Sequence, residues 1–200
     1  TSLLKKEMYD ATQSWIICNP TFEYKFFNDE DCIKFINKYF PPIVLHAFLS
    51  FVPGAYKADL FRYCYLYIMG GIYSDIDNIC LVNLSNLIGT NDIFISVKDR
   101  PQGTIYNSFI ASYPKNPVFN HAISNILHNV KYKLYHFPSN NGAIKGRKYL
   151  DELSISGPKC LGNSLNMYLK RKLNTEFYEG THNINNFKFK LYSFSANGKY

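Results

Sequence analysis

The sequence predicts a single α/β domain in which helices flank a mostly parallel sheet. Three observations favour this fold class. The chain has 200 residues, a length that fits one domain. Hydrophobic residues make up 46% and charged residues 18% of the sequence, as in ordinary globular proteins. Segments with strand and helix patterns alternate along the chain, and no repeat or linker divides it.

Two predicted helices lie in the first half of the sequence. Asn28 has the character of a helix N-cap, acidic residues follow it, and Pro41-Pro42 ends the helix that it starts. The second helix runs from about Tyr56 to Met69 and is apolar on nearly all sides, so we expect it to be buried. Gly70-Gly71 ends this helix. Two strands are also predicted here, Phe22–Phe27 and Ile72–Asp75.

The second half continues the alternation of strands and helices. Strands are predicted at Asp92–Val97 and, at the end, at Phe187–Phe194, and Tyr106–Tyr113 is ambiguous between strand and helix. Two helices that begin with proline are predicted at Pro117–Val130 and Pro158–Leu173. Ser139–Gly146 has loop composition and is the candidate for a mobile flap, and the lysines near Ser139 to Lys148 would cover a diphosphate as a lid. An ordinary solvent loop is the alternative interpretation.

Charge and composition limit the possible partners and the compartment. The net charge is +7, but the basic residues are scattered in short runs. No nucleic-acid partner is therefore expected. A phosphate-bearing substrate would suit the excess of positive charge equally well. No apolar stretch reaches the roughly 18–20 residues of a membrane span. Five scattered cysteines without a CxxC pair indicate a reducing compartment. A cytoplasmic protein is therefore predicted, with membrane association through regions outside these 200 residues left open.

Two charged residues lie on the second predicted helix. Asp59 and Arg62 are three residues apart and therefore share a helix face. An apolar helix that buries two charges needs a functional reason or a partner for each of them. Pairing of Asp59 with Arg62, without any role in function, is the structural alternative.

A pair of carboxylates follows the double glycine. Asp75 and Asp77 are two residues apart at a predicted strand end, where extended backbone would direct both to the same side and Ile76 into the core. Two carboxylates about 6 Å apart repel by about 3 kcal/mol at an effective dielectric near 20. A divalent cation would remove this repulsion, and oxygen ligands favour Mg²⁺, Mn²⁺ or Ca²⁺ over zinc. In open α/β sheets, ligands bind at this edge.

The run ADLFRYCYLYIMGGIYSDID resembles the sugar-binding DXD region of glycosyltransferase family 32, the α-1,6-mannosyltransferase-like group. It is also similar to the catalytic core of the large clostridial glucosylating toxins. Three further stretches resemble family 32, which extends the likeness over roughly residues 10 to 170: SWIICNPTFEYKFFND near the N-terminus, YNSFIAS with Pro114 and Pro117, and Ser156-Gly157-Pro158.

The resemblance implies that residues 1–200 are a GT-A catalytic domain with a nucleotide-sugar donor, such as a UDP- or GDP-hexose, a divalent metal (Mn²⁺ or Mg²⁺) and retention of anomeric configuration. A hydroxyl of a glycan or protein is the implied acceptor. By position, Asp77 would ligate the metal and Asp75 would assist or hold donor hydroxyls. The other implied donor contacts come from Asp59 and Arg62 at the sugar and phosphate, Tyr73 near the ribose, and Asn107 at the transferred sugar or the acceptor.

Two family elements are missing from the sequence. Family members usually begin with a strand of the type IPKIIHQIW, and they often end with a histidine-containing element that completes the metal site. Neither occurs in this sequence, and His182 is the nearest candidate for the second. We therefore expect a catalytic domain without its usual first strand and C-terminal metal-site element.

Three functional hypotheses follow. The first is a metal-dependent retaining transferase without a covalent nucleophile, since metal and donor would occupy both aspartates. The second is a non-catalytic nucleotide-sugar or carbohydrate-binding remnant of the same fold. The third, less favoured, is a two-metal nucleotidyltransferase, which requires a third carboxylate and a basic track.

Overall fold

The computed structural model describes residues 5–89, 92–100, 102–134 and 151–193. Within them lie seven α-helices: α1 Lys6–Cys18, α2 Asp29–Tyr39, α3 Pro42–Ser50, α4 Gly54–Met69, α5 Pro117–Lys131, α6 Glu152–Ile155 and α7 Pro158–Tyr168. The strands are β1 Gly71–Ser74, β2 Phe94–Lys98, β3 Ile105–Ser112, β4 Gly180–Ile184 and β5 Phe187–Tyr192. The predicted flap Ser139–Gly146 lies outside the described residues.

The five strands form one mixed sheet in the order β1-β3-β2-β5-β4. The expectation of a mostly parallel sheet is wrong, because only β2 and β5 pair in parallel and the other three pairings are antiparallel. A short connection explains one of the antiparallel pairings, that of β4 with β5. Asn185-Asn186 joins β4 to β5 with both φ angles positive, 54° and 63°, as a two-residue type I′ hairpin turn requires.

Helices cover both faces of the sheet, which confirms the predicted α/β class with flanking helices. The larger core lies between the sheet and the helices α2 to α7, and the smaller core lies on the opposite face, where Trp15 of α1 packs. Strand β3 serves both cores. Ile110 points into the larger one, whereas Phe109 and Ala111 point into the smaller one, as the two-residue period of a strand requires.

Helix α2 begins and ends where the sequence predicts. Asn28 accepts a hydrogen bond from the Asp31 N–H at 2.9 Å, and the Asp31 carboxylate accepts one from the Asn28 N–H at 3.2 Å. This reciprocal capping box satisfies N–H groups that a helix start leaves free. Pro41-Pro42 ends α2 and also starts α3, since Pro42 occupies the first helical position, where a missing N–H costs nothing.

Several sequence-based expectations need correction. Phe22–Phe27 forms no regular secondary structure, although it alternates like a strand, and the helix that starts at Pro158 ends at Tyr168 rather than Leu173. The ambiguous segment Tyr106–Tyr113 is a strand, β3. The sequence did not predict α1, α3 and β4. Within the described residues, no helix combines the length and the apolar character that a membrane crossing needs.

Asp92 connects the start of β2 to β5. Its carboxylate accepts a hydrogen bond from the Gly89 N–H at 3.0 Å and forms an ion pair with Lys188 Nζ at 3.0 Å, while 6% of the residue is exposed. Burial alone would raise the pKa of Asp92, but the contacts with Lys188 and Gly89 outweigh it and lower the pKa. Ionised Asp92 therefore stabilises the folded protein.

We expect Asp92→Asn to lower the free energy of unfolding by about 1.5–3 kcal/mol at neutral pH, because hydrogen bonds to charged groups contribute about that much. The pKa of Asp92 in the folded protein lies below its value of about 3.9 in the unfolded chain. The contribution of Asp92 is therefore complete above that value and is lost as the pH falls through the folded pKa. Urea denaturation across this range measures the effect. The exposed Asp10→Asn is the matched control, and an equal loss in both variants would contradict the prediction.

Candidate functional site

The candidate site begins on α4 and β1, the two elements joined by Gly70-Gly71. The N–H of Gly70 closes α4 by donating to Leu66 O at 3.0 Å, and its φ of 66° is left-handed. A Cβ at this position would lie 2.6 Å from the backbone N of Pro114, so only glycine fits. The backbone therefore turns directly from the buried helix into the strand that leads to Asp75.

Arg62 lies between two carboxylates. Its Nη2 is 3.2 Å from Asp59 Oδ1 and its Nη1 is 3.1 Å from Asp75 Oδ1. The guanidinium carbon lies 4.4 Å from the ring centroid of Tyr73. The Tyr73 hydroxyl donates to the same Asp75 oxygen at 2.8 Å. Asp59 and Arg62 thus pair with each other, as the structural alternative expects, but Arg62 also reaches across to the DXD pair.

Burial and charge compete in this group. Burial favours the neutral form of Arg62, yet the surrounding Tyr73, Asp59 and Asp75 raise its pKa, so the guanidinium stays charged. Burial raises the pKa of Asp75, while Arg62 and the Tyr73 hydroxyl act in the opposite direction. Burial also raises the pKa of Tyr73, which keeps its hydroxyl protonated and able to donate.

A second layer of hydrogen bonds holds Asp59. Its Oδ1 accepts from Asn107 Nδ2 at 2.8 Å and its Oδ2 accepts from Ser156 Oγ at 2.7 Å. Asn107 Nδ2 also donates to the Tyr63 hydroxyl at 3.0 Å, and that hydroxyl donates to Ser156 O at 2.9 Å. All four residues are buried. The site therefore includes Tyr63 and Ser156, which sequence reasoning did not assign to it, although both lie within or beside the quoted motifs.

The backbone stays extended only as far as Asp75. The Asp75 N–H donates to Ser108 O at 2.9 Å, and the Asn78 N–H then donates back to Asp75 O at 3.2 Å. Ile76 and Asp77 consequently lie in a turn, which we call the DXD turn (residues 75–78). The expected extended path through Asp77 is wrong, and half-buried Ile76 lines a cleft together with both aspartates instead of entering the core.

This cleft has a volume of about 690 Å³, within the usual range for small-molecule sites. Arg62, Tyr73, Asp75 and Asp77 line it, together with the N-terminal part of α4 and the aromatic segment 22–27. Asp59 and Asn107 are not part of its wall but lie behind Arg62. The structure thus brings all six predicted residues into one region, with four on the cleft wall.

The donor set suits an oxygen-binding cation that also binds substrate phosphate. Asp77 is exposed, and no other described side chain pairs with its carboxylate. No group of three His, Cys, Asp or Glu side chains within the described ranges is arranged to hold a metal ion. Mg²⁺ is commonly bound through one or two carboxylates plus substrate phosphates, which needs no such cluster. Asp77, with Asp75 beside it, therefore fits such an ion.

His182 does not contribute to this site. It lies on β4, at the opposite edge of the sheet from β1. Its ring stacks on Phe189 with centroids 4.7 Å apart, and its Nε2 is 2.7 Å from Tyr178 O. His182 therefore does not reach the DXD turn, and no histidine is among the described residues that line the cleft.

Residues 5–94 match the family model described as the glycosyltransferase sugar-binding region containing the DXD motif. This part of the protein therefore resembles the DXD sugar-binding region of glycosyltransferases. The match ends beside β2 and includes α4, β1 and the DXD turn. It confirms the resemblance predicted from the sequence.

Curated relatives of this chain are glycosyltransferases by name. The protein is 34% identical over 124 residues to the uncharacterized glycosyltransferase L373 of Acanthamoeba polyphaga mimivirus, covering 62% of this chain and 49% of the relative. It is 32% identical over 121 residues to inositol phosphoceramide mannosyltransferase 2 of Schizosaccharomyces pombe, covering 60% and 34%. An initiation-specific alpha-1,6-mannosyltransferase of Saccharomyces cerevisiae is 42% identical over 65 residues, covering 32% and 14%. The matches thus span half or less of these relatives.

A solved structure, PaToxG glycosyltransferase, shares the fold. The two superpose with a TM-score of 0.58 at 16% sequence identity, covering 85% of this chain and 66% of that one. The similarity at this identity concerns the fold alone. It confirms the α/β fold with flanking helices expected from the sequence, with the correction of strand direction given above.

The Arg62 bridge can be tested through stability. Arg62→Met would leave the buried Asp59 carboxylate without a cation, and breaking a buried pair in this way costs about 3–5 kcal/mol. The double variant Arg62→Met/Asp59→Asn should regain part of this loss, because the uncompensated charge is then gone. Urea denaturation of the wild type, both single variants and the double variant measures the coupling. Strictly additive losses would contradict the bridge.

Proposed function

We propose that this protein is a metal-dependent retaining glycosyltransferase that moves a hexose from a nucleoside-diphosphate donor to a hydroxyl acceptor. The observation that carries the proposal is the position of Asp75 and Asp77 on one cleft wall beside the buried, charged Arg62. Mannose is the favoured sugar, because relatives from Schizosaccharomyces pombe and Saccharomyces cerevisiae bear mannosyltransferase names. A glycan or protein hydroxyl is the proposed acceptor, and residues 1–200 the proposed catalytic domain.

In this proposal Asp77 is a ligand of Mn²⁺ or Mg²⁺, and Asp75 assists or binds donor hydroxyls. The bound cation supplies Lewis-acid stabilisation of the departing diphosphate. Arg62 contributes a fixed positive charge and hydrogen-bond donors on the cleft wall for an oxygen-rich donor group. Tyr73 lies beside the donor, where its ring supports the guanidinium of Arg62.

Asp59 and Asn107 have a different proposed part in donor binding. Because both lie behind Arg62, they contribute chiefly by holding its guanidinium against the cleft. A donor that displaced the guanidinium would have to break these buried contacts. Donor binding by Arg62 is thus pre-organised rather than dependent on a side chain that must first be ordered.

We infer that transfer proceeds by attack of the acceptor on the same face that the diphosphate leaves. The cleft-lining carboxylates have other partners: Asp75 contacts Arg62, Glu23 pairs with Lys25 at 3.1 Å, and Asp29 pairs with Lys57 at 3.4 Å. Asp77 is the proposed metal ligand. In this proposal neither aspartate of the DXD pair is therefore left as a covalent nucleophile of the kind that retaining glycosidases use.

Two other functions compete with this one. A non-catalytic carbohydrate-binding protein would use the same cleft, and measurement of turnover separates it from a transferase. A nucleotidyltransferase is disfavoured by the lack of a three-carboxylate group within the described ranges and by the match to the DXD sugar-binding region.

A donor panel tests the proposal. UDP- and GDP-sugars, GDP-mannose included, are incubated with the protein and Mn²⁺, and the products are identified by mass spectrometry. We expect hydrolysis or transfer of one hexose, and a higher melting temperature with the matching nucleoside diphosphate plus Mn²⁺. Asp77→Asn should reduce turnover at least about 100-fold, since metal charge stabilisation contributes several kcal/mol.

The matched control for that experiment is Asp10→Asn, an exposed carboxylate on α1 that does not line the cleft. It should keep wild-type turnover. A higher melting temperature with Mn²⁺ and nucleotide, without product formation, would indicate a binding protein and not an enzyme. Stabilisation by DNA or RNA alone would contradict the transferase proposal.

The stereochemical prediction is separate. If the acceptor attacks from the leaving-group face, the anomeric configuration of the first product should equal that of the donor, as read by proton NMR before mutarotation. Mass spectrometry of the protein during turnover should find no glycosyl adduct. An adduct on any side chain would overturn the single-step route, and an inverted product would overturn retention.

A further inference from the structure

Asn78, the last residue of the DXD turn, connects that turn to three neighbouring elements. Its amide Nδ2 is within hydrogen-bond distance of Ser74 Oγ at 3.2 Å, Ser108 O at 3.0 Å and Ser108 Oγ at 3.3 Å. Its backbone carbonyl oxygen accepts a hydrogen bond from the Trp15 indole N–H at 2.7 Å. One residue thus links the turn to β1, β3 and α1.

The partner on α1 is itself held in place. The Trp15 ring stacks on Phe109 of β3 with centroids 6.1 Å apart. One residue earlier, Ser14 Oγ accepts a hydrogen bond from the Cys80 N–H at 2.8 Å. Helix α1 therefore fixes the backbone where it leaves the DXD turn, on the face of the sheet opposite the larger core.

The two aspartates of the turn differ in how they are held. The Asp75 carboxylate has direct partners in Arg62 and Tyr73. The Asp77 carboxylate pairs with no other side chain of the described residues. The position of Asp77 is therefore set by the backbone of the turn alone, and Asn78 is its immediate neighbour with anchoring contacts.

We propose that Asn78 is a positioning residue for Asp77, which holds the turn so that this carboxylate can bind a divalent cation together with a nucleoside diphosphate. The inference rests on the proposed function and extends it beyond the D-x-D pattern, since Asn78 touches neither donor nor metal in this scheme. Outer-shell partners of this kind commonly change metal affinity by about 10- to 100-fold when they are removed.

The test compares Asn78→Ala with the matched control Asn125→Ala. Asn125 Nδ2 donates to Ser164 Oγ at 3.1 Å and lies on α5, away from the cleft. Calorimetry measures Mn²⁺ affinity in the presence of UDP or GDP, whichever the wild type binds. Hydrogen exchange of the peptide spanning residues 75–78 measures the turn, whose Asp75 and Asn78 amides are both hydrogen-bonded.

Trp15→Phe is the second variant, because it removes the indole N–H and keeps a ring against Phe109. It tests the same anchor if Asn78→Ala does not fold. For Asn78→Ala we expect about a tenfold loss of Mn²⁺ affinity and faster exchange in residues 75–78. Trp15→Phe should give a smaller loss in the same direction, and Asn125→Ala should match the wild type.

Three results would overturn the inference. If the wild type binds Mn²⁺ with nucleotide and Asn78→Ala and Trp15→Phe bind it within twofold as well, the inference fails while the proposed function stands. Equal loss in Asn125→Ala would assign the effect to general destabilisation. If the wild type binds no nucleoside diphosphate with Mn²⁺, the proposed function fails, and the role of Asn78 in it fails too.

Discussion

The structure around the cleft depends on one buried guanidinium group, that of Arg62, between two carboxylates. Arg62 is 4% exposed and lies within 3.2 Å of Asp59 and 3.1 Å of Asp75. A buried charge is tolerated only when it is paired and hydrogen-bonded. The fold meets this condition with Asp59 on the same helix and Asp75 directly after β1, and the same pairing places a fixed positive charge beside the DXD turn.

The short connection between α4 and β1 makes this pairing possible. Arg62 lies on α4 and Asp75 directly follows β1, so a longer or more flexible connection between helix and strand would move their charges apart. Gly70 fixes the conformation of this connection, because its left-handed φ and its close approach to Pro114 allow a single path of the backbone. Lys115, directly after Pro114, adds a hydrogen bond from its N–H to Tyr67 O at 2.7 Å. The geometry of the charges is therefore set by backbone packing.

The sequence predicts much of this arrangement because its signals are local. The capping residue Asn28, the buried helix with Asp59 and Arg62, and the glycine pair before Asp75 all lie in continuous stretches with known periodicity. Strand direction was not predictable in the same way. The antiparallel pairing of β1 with β3, for example, joins strands that lie far apart in the sequence, although Asn185-Asn186 does carry a hairpin signal for β4 and β5.

Other errors have similar physical causes. The alternating aromatic residues of Phe22–Phe27 resemble a strand, but several of them line the cleft instead of pairing in the sheet. The turn at Ile76 and Asp77 is set by hydrogen bonds with Ser108 and Asn78 that no two-residue spacing reveals. Ser156 was missed as a site residue because its contact with Asp59 spans 97 positions in the sequence.

That long-range contact has a consequence for how the protein is made. Translation proceeds from the N-terminus, so Asp59 and Arg62 leave the ribosome well before Asn107, and Asn107 well before Ser156. Until these later residues emerge, the Asp59 carboxylate lacks two of its three hydrogen-bonding partners. The nascent polypeptide therefore completes the charged centre of its cleft only once Ser156 has emerged, after the whole segment that matches the sugar-binding family has already been exposed.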